Sequence, residues 1–159
     1  MHGVCVVTFD LELGQAIERI YPEHVTLSDT DKTNICYLAF PDSNSGVLGD
    51  SQFHFRIRLS NETIKPMGHL APSNRIHVEY NRRCPGSIAF DPKYLFGFVY
   101  FRQVKDASVR RGYYQKSVIL LSKLPLVTLY PQITSVVARK FFECGELALE
   151  TAAKGTWFF

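Results

Sequence analysis

Phe96-Gly97-Phe98-Val99-Tyr100-Phe101-Arg102-Gln103-Val104 and Tyr113-Tyr114-Gln115-Lys116-Ser117-Val118-Ile119-Leu120-Leu121 decide the fold. Both runs are dense in aromatic and β-branched residues, the types that fit a pleated, buried surface. The polar stretch Lys105 to Gly112 between them reads as a turn, so the two form one long hairpin. Outward from that hairpin, the hydrophobic period changes on one side and persists on the other.

Downstream of Lys123-Leu124-Pro125 the period shifts from two to about 3.6. Leu126, Leu129, Tyr130, Ile133, Val136, Val137 and Phe141 share one helical face. Pro131 is compatible with a helix that begins near Thr128, because first-turn amides have no partner to lose. A last helix is expected over Glu146 to Lys154, with Leu147, Leu149 and Ala153 apolar and Gly155 as its stop.

Upstream, Gln52-Phe53-His54-Phe55-Arg56-Ile57-Arg58-Leu59 alternates most cleanly. Phe53, Phe55, Ile57 and Leu59 form a core face; Gln52, His54, Arg56 and Arg58 face water or a polar partner. Ser60 to Lys93 is polar and broken by proline and glycine, with only Ile76-His77-Val78-Glu79-Tyr80 suited to a short strand. It reads as an insertion of little structure. Nearer the amino terminus, Val4-Cys5-Val6-Val7-Thr8-Phe9 is apolar on both alternating faces, as a covered central strand should be. After Leu13-Gly14, Gln15 to Tyr21 reads as its hairpin partner, stopped by Pro22. Ser28 and Asp31 mark a capped helix start, and Ile35, Leu38 and Ala39 share its apolar face before Pro41.

The order is strand, strand, helix, strand, long loop, strand, strand, helix, helix. Hairpins followed by helices imply an antiparallel sheet with helices packed on it. The helix after the second strand must cross that sheet, so helices are expected on both faces. The expected class is α+β, layered α/β/α.

Composition narrows the function. With 159 residues the chain is expected to be one domain, and hydrophobic residues at 46% exclude wholesale disorder. A net charge of +3, with Lys and Arg scattered, is no footprint for nucleic acid. The four cysteines form no Cys-x-x-Cys pair and sit at no metal spacing to a histidine; Cys5 and Cys36 read as buried hydrophobes in a reducing compartment. No secretory segment or membrane span is visible, so a cytoplasmic, soluble domain is expected.

Catalytic signatures are missing. Gly46-Val47-Leu48-Gly49-Asp50 lacks the lysine of a phosphate-binding loop, and no Gly-x-Ser-x-Gly elbow or His-x-x-x-His set occurs. Arg111-Gly112-Tyr113-Tyr114 opens like an RNA-stacking strand, but Tyr114, Gln115 and Leu120 break the pattern. No catalytic residue, metal or cofactor is assigned. The expected work is to hold another protein.

Several stretches resemble one family. Phe9-Asp10-Leu11-Glu12-Leu13-Gly14-Gln15, Tyr21-Pro22 and Asn34-Ile35-Cys36-Tyr37-Leu38-Ala39-Phe40-Pro41-Asp42-Ser43-Asn44-Ser45-Gly46 look like the start of a DENN protein. Gly97-Phe98-Val99-Tyr100-Phe101-Arg102-Gln103-Val104 and Gln115-Lys116-Ser117-Val118-Ile119-Leu120-Leu121-Ser122-Lys123-Leu124-Pro125 resemble its upstream module. The Phe-Pro-Asp-Ser-Asn-Ser-Gly run points to the branch of DENN domain-containing protein 6. The resemblance covers most of the chain outside residues 60–94.

That resemblance implies a longin-like fold: a five-stranded antiparallel sheet, one helix on one face and two on the other. Residues 1–159 would be a single upstream DENN domain with an insertion at about 60–94, cut before a larger central DENN domain. The family's activity is guanine nucleotide exchange on Rab GTPases in membrane traffic, and this branch is associated with endosomal recycling. The implied partners are a Rab-family small GTPase and the central DENN domain, at endosomal membranes, with little exchange by this piece alone. The alternative is a longin-type scaffold or adaptor module in vesicle traffic without exchange activity. Candidate contact residues are Arg56 and Arg58 on the polar strand face and Asp42 and Asn44 in the turn before it; each is equally readable as plain solvated polarity. Arg102 and Gln103 carry the family pattern and could instead simply close the sheet.

Overall fold

The computed structural model of the chain describes residues 2–10, 12, 14–41, 49–64, 75–108, 110 and 112–154. Its centre is the expected hairpin. Strand β4 (Tyr94–Lys105) pairs antiparallel with β5 (Tyr113–Ser122), in register from Phe96 opposite Ser122 to Lys105 opposite Tyr113. Strand β3 (Gly49–Arg58) adds to the outer edge of β4, and β1 (Gly3–Asp10) to the outer edge of β5. Strand β2 (Gly14–Tyr21) pairs with β1 beyond, with a register shift between Val6 and Val7. The sheet order is β2-β1-β5-β4-β3, antiparallel throughout.

That order places β2 and β3 at opposite edges, so the chain between them crosses the whole sheet. Helix α1 (Asp29–Leu38) makes the crossing and covers one face. Its Ile35 and Cys36, with Ala39, pack on Cys5, Val7, Val99, Phe101, Ile119 and Leu121. The buried Ser117 hydroxyl donates to the Ala39 carbonyl, which the ending helix leaves free. Leu38, expected on this face, is partly exposed, and Cys36 takes its place.

The opposite face carries α4 (Tyr130–Cys144) and α5 (Leu147–Ala153). Val4, Val6, Tyr100 and Val118 meet Val137, Ala138, Phe141, Leu149 and Ala152; Phe98 and Leu120 meet Tyr130. Alternate residues of β1, β4 and β5 thus feed two separate cores, which is why these strands read as continuous apolar runs. One helix on one face and two on the other is the longin-like α+β arrangement.

Three expectations need correction. Ile76 to Tyr80 is not a strand: it lies within helix α3 (Arg75–Arg83). A lone five-residue strand would need a neighbour for its amides, whereas a helix satisfies its own. Glu79 also reaches Arg83 at 2.7 Å, one turn on. Residues 60–93 accordingly hold more structure than expected, including α2 (Asn61–Ile64) and a 3-10 turn at Gly86–Ile88. The buried stripe of α4 is Tyr130, Thr134, Val137, Ala138 and Phe141; Leu129 and Val136, assigned to it from sequence, are 49% and 56% exposed. Likewise α5 buries Leu149 and Ala152 but leaves Leu147 62% exposed. The stop expected at Gly155 lies outside the described residues.

Candidate functional site

Because α4 lies over β4 and β5, the same face of edge strand β3 stays open. Its even-numbered side chains Gln52, His54, Arg56 and Arg58 are exposed there. The odd-numbered Phe55 and Ile57 are buried on the α1 side. Glycine at 97 makes this possible: the Phe55 ring lies over Gly97, its register partner, where any Cβ would overlap the ring.

Arg56 stacks its guanidinium 4.6 Å from the Tyr94 ring, which limits its rotamers without neutralising its charge. Among the described residues no carboxylate forms a salt bridge with Arg56 or Arg58. The row therefore presents two unpaired cations on a strand edge whose backbone amides and carbonyls are also unpaired by any neighbouring strand. Such an edge offers a partner charge and main-chain hydrogen bonds.

Arg102 has a different employment. Its Nε and Nη2 each donate to Asp50 at 2.7 Å, the Tyr100 hydroxyl donates to the same carboxylate, and the guanidinium sits 4.2 Å from the Phe142 ring. Hydrogen bonding from Arg102, joined by Tyr100 and opposed by burial, holds the Asp50 carboxyl below its usual range. The pair fastens the start of β3 to β4 and α4. Gln103 is buried and accepts from Gln115 Nε2 at 2.6 Å across the hairpin. Asp42 and Asn44 lie outside the described residues. Asp50 and Arg58 stand at opposite ends of β3, about 26 Å apart at about 3.3 Å per residue. The structure thus separates the sequence candidates: Arg56 and Arg58 share an open surface, whereas Arg102 and Gln103 hold the sheet together.

Two features escaped the sequence reading. Tyr37 is 75% exposed on α1, and with Lys32, Thr33, Gln15 and Ile17 it lines a shallow recess between α1 and β2. Its position off the apolar face was readable; its recess, built from a distant strand, was not. The second is that the cap read from sequence at Ser28 and Asp31 is shared with another helix. Ser28 Oγ accepts the Asp31 amide at α1, and Ser60 Oγ accepts the Thr63 amide at α2. The buried Asp31 carboxylate joins them, accepting from the Ser60 amide at 3.0 Å and from the hydroxyls of Ser28, Ser60 and Thr63. Burial alone would raise its pKa; the hydrogen bonds, Thr63 foremost, outweigh that and lower it.

At the same end of the sheet, burial first and then the Lys123 charge push His2 down to about 4. Its Nε2, like Nδ1 of His77, is buried and finds no partner among the described residues. A neutral ring can leave such a nitrogen bare far more cheaply than a protonated one can. Burial lowers Lys123 to about 8, and its Nζ donates to the Pro92 carbonyl at 2.9 Å. His77 stacks on Phe90 with centroids 3.8 Å apart, fixing α3 to the segment before β4. Among the described residues no three His, Cys, Asp or Glu side chains could hold a metal ion, and no helix is long and apolar enough to cross a membrane.

Comparison with known proteins supplies what geometry alone does not. The family described as transport protein Avl9 matches residues 1–152. Protein DENND6A of Mus musculus is 49% identical over 152 residues, 96% of this chain and 24% of that protein. Protein DENND6B of Homo sapiens is 51% identical over 140 residues, 88% of this chain and 23% of the relative. A DENND6 homolog of Dictyostelium discoideum is 34% identical over 152 residues, 96% of this chain and 18% of its own length. The chain therefore spans about a quarter or less of the relatives it matches. No solved structure matches it. The chain belongs to the Avl9 transport protein family, as a DENN-domain protein close to DENND6.

Proposed function

We propose that residues 1–159 are the amino-terminal longin module of a DENN-type exchange factor for a Rab GTPase in endosomal traffic. The module works in the cytoplasm, at endosomal membranes, and contributes one part of the Rab surface while docking the central DENN domain. Family membership across residues 1–152 carries this reading. The open, unpaired cationic row on β3 supports it by offering a surface of the right kind.

Exchange needs no general base. A factor that binds the nucleotide-free GTPase better than the loaded one weakens nucleotide binding by the same factor. Displacing the switch loops and the Mg²⁺ they help to hold is enough. Arg56 and Arg58 would contact acidic groups near those loops, and Tyr37 offers a rigid aromatic anchor on the other layer. The test is release of a fluorescent GDP analogue from a panel of Rab proteins. The module is assayed alone, and again as part of the longer polypeptide. The proposal expects release by the longer chain for at least one Rab, and module binding to that Rab in its empty form. No release and no binding across the panel would leave a scaffold or adaptor module.

A further inference from the structure

The sheet ends in two unlike edges. At β2 the pairing with β1 slips at Glu18, an extra residue between Arg19 opposite Val6 and Ile17 opposite Val7. Such a bulge twists an edge and spoils it as a template for another strand. Its charged side chains are also engaged: Glu18 meets Lys116 at 2.7 Å and Arg19 meets Glu146 at 2.8 Å. Strand β3 has neither feature. Its 10 residues pair with β4 without a break, from Gly49 opposite Gln103 to Arg58 opposite Tyr94, and none is proline. Among the described residues no strand covers its outer edge. The amides and carbonyls along that edge are satisfied by water or by another strand.

Charge then selects the occupant. Arg56 and Arg58 lie on one face of β3, about 7 Å apart, the spacing of alternate residues in any extended chain. Among the described residues neither forms a salt bridge, and the Tyr94 ring steadies Arg56 from 4.6 Å. The only acid of the strand, Asp50, is held by Arg102 and Tyr100. A second copy laid along β3 therefore brings no free carboxylate from this strand to the two arginines. On the other face Phe53 is only partly buried against the core, which leaves apolar surface for a further strand to cover. We infer that the outer edge of β3 takes an extended acidic peptide segment as an added strand, its alternate carboxylates on Arg56 and Arg58 and its apolar side chains beside Phe53. Main-chain hydrogen bonds supply the affinity of such strand addition, and alternate side chains supply its selectivity. Bidentate guanidinium–carboxylate pairing fixes register as well as sign. The inference rests on the row that the proposed function offers to a Rab and names the chemistry accepted there. Peptide binding and nucleotide release are separate measurements, so either reading can fail without the other.

The probe is a fluorescently labelled synthetic peptide as long as β3 that alternates valine and glutamate, titrated with the intact chain and read by anisotropy. Binding is expected, and the counterpart that alternates valine and lysine should bind at least about tenfold more weakly. Arg56→Glu with Arg58→Glu should reverse that preference, a result that loss of folding cannot imitate. The same charge change at exposed positions of the hairpin tip, Lys105→Glu with Arg110→Glu, should leave the preference as it was. Main-chain pairing has its own signature, because successive residues of a strand point their amides to opposite edges. N-methylation of the valine amides or of the glutamate amides should therefore abolish binding in one case and spare it in the other. Failure of the valine–glutamate peptide to bind would overturn the inference. So would a preference that survives at β3 after charge reversal, or one that reverses equally from the hairpin tip. Binding that outlasts both methylations, or is lost in both, would equally rule out strand addition.

Discussion

Asp31 shows how far one side chain can reach. Its carboxylate takes hydrogen bonds from Ser28, Ser60 and Thr63, so two helix starts and the link from β3 share one acceptor. Asp31→Ala strands several buried donors at once. The expected loss is about 2–4 kcal/mol, read from urea unfolding at pH 7. Asp31→Asn keeps one acceptor oxygen and should lose less. His2 makes the pH case. Its folded pKa of about 4 lies below the ordinary 6.5, so the unfolded chain takes up a proton that the folded chain refuses. That contribution is intact above pH 6.5 and is lost as pH falls through the window from 6.5 to 4, by up to about 3 kcal/mol. His2→Gln cannot titrate. Urea midpoints measured between pH 7 and pH 4.5 should fall more steeply for the parent chain than for the variant. Parallel curves would remove His2 from the account.

At the scale of elements, β3 is held at one end and free at the other, and two arginines report the difference. Arg102→Ala releases Asp50, Tyr100 and Phe142 together. Because the pair is only partly buried, solvent screening limits the loss to about 1–2 kcal/mol. Arg56→Glu with Arg58→Glu touches no salt bridge among the described residues and should change the melting free energy by less than about 1 kcal/mol. If the order of these two losses were reversed, the division between structural and surface arginines would be wrong. Part of this was legible beforehand. The strands were readable because β1, β4 and β5 are buried on both faces and β3 on one, so period two or unbroken apolarity survives in the chain. Helix α3 was misread because Ile76, Val78 and Tyr80 alternate over too few residues to separate a strand from a helix. Leu129 and Val136 were misassigned because an apolar residue on a helix flank keeps the same period as one underneath. Arg102 carried a visible pattern but an invisible partner: Asp50 lies 52 residues away and meets it only through the β3–β4 register.

For the molecule as a whole, the proposed function turns on how a Rab surface would divide between this module and the rest of a longer polypeptide. The chain covers only about a quarter of relatives such as mouse DENND6A, so most of any shared interface would lie beyond it. Two weak surfaces on one chain act together, because binding of the first holds the second at an effective concentration near the millimolar range. The module alone should therefore bind the empty GTPase far more weakly than the longer protein. Added separately to the remainder, it should restore little exchange. The β3 row then becomes testable where it matters. In the longer protein, Arg56→Glu with Arg58→Glu should slow GDP release at least tenfold, since two lost charge contacts of about 1 kcal/mol each already exceed that factor and repulsion adds to it. The effect should shrink as salt rises, because exposed charges are screened beyond a Debye length of about 8 Å at physiological ionic strength. Unaltered release by a correctly folded double variant would move the Rab contact off β3. The recess around Tyr37 would then be the next surface to change, with Tyr37→Ala measured in the same assay.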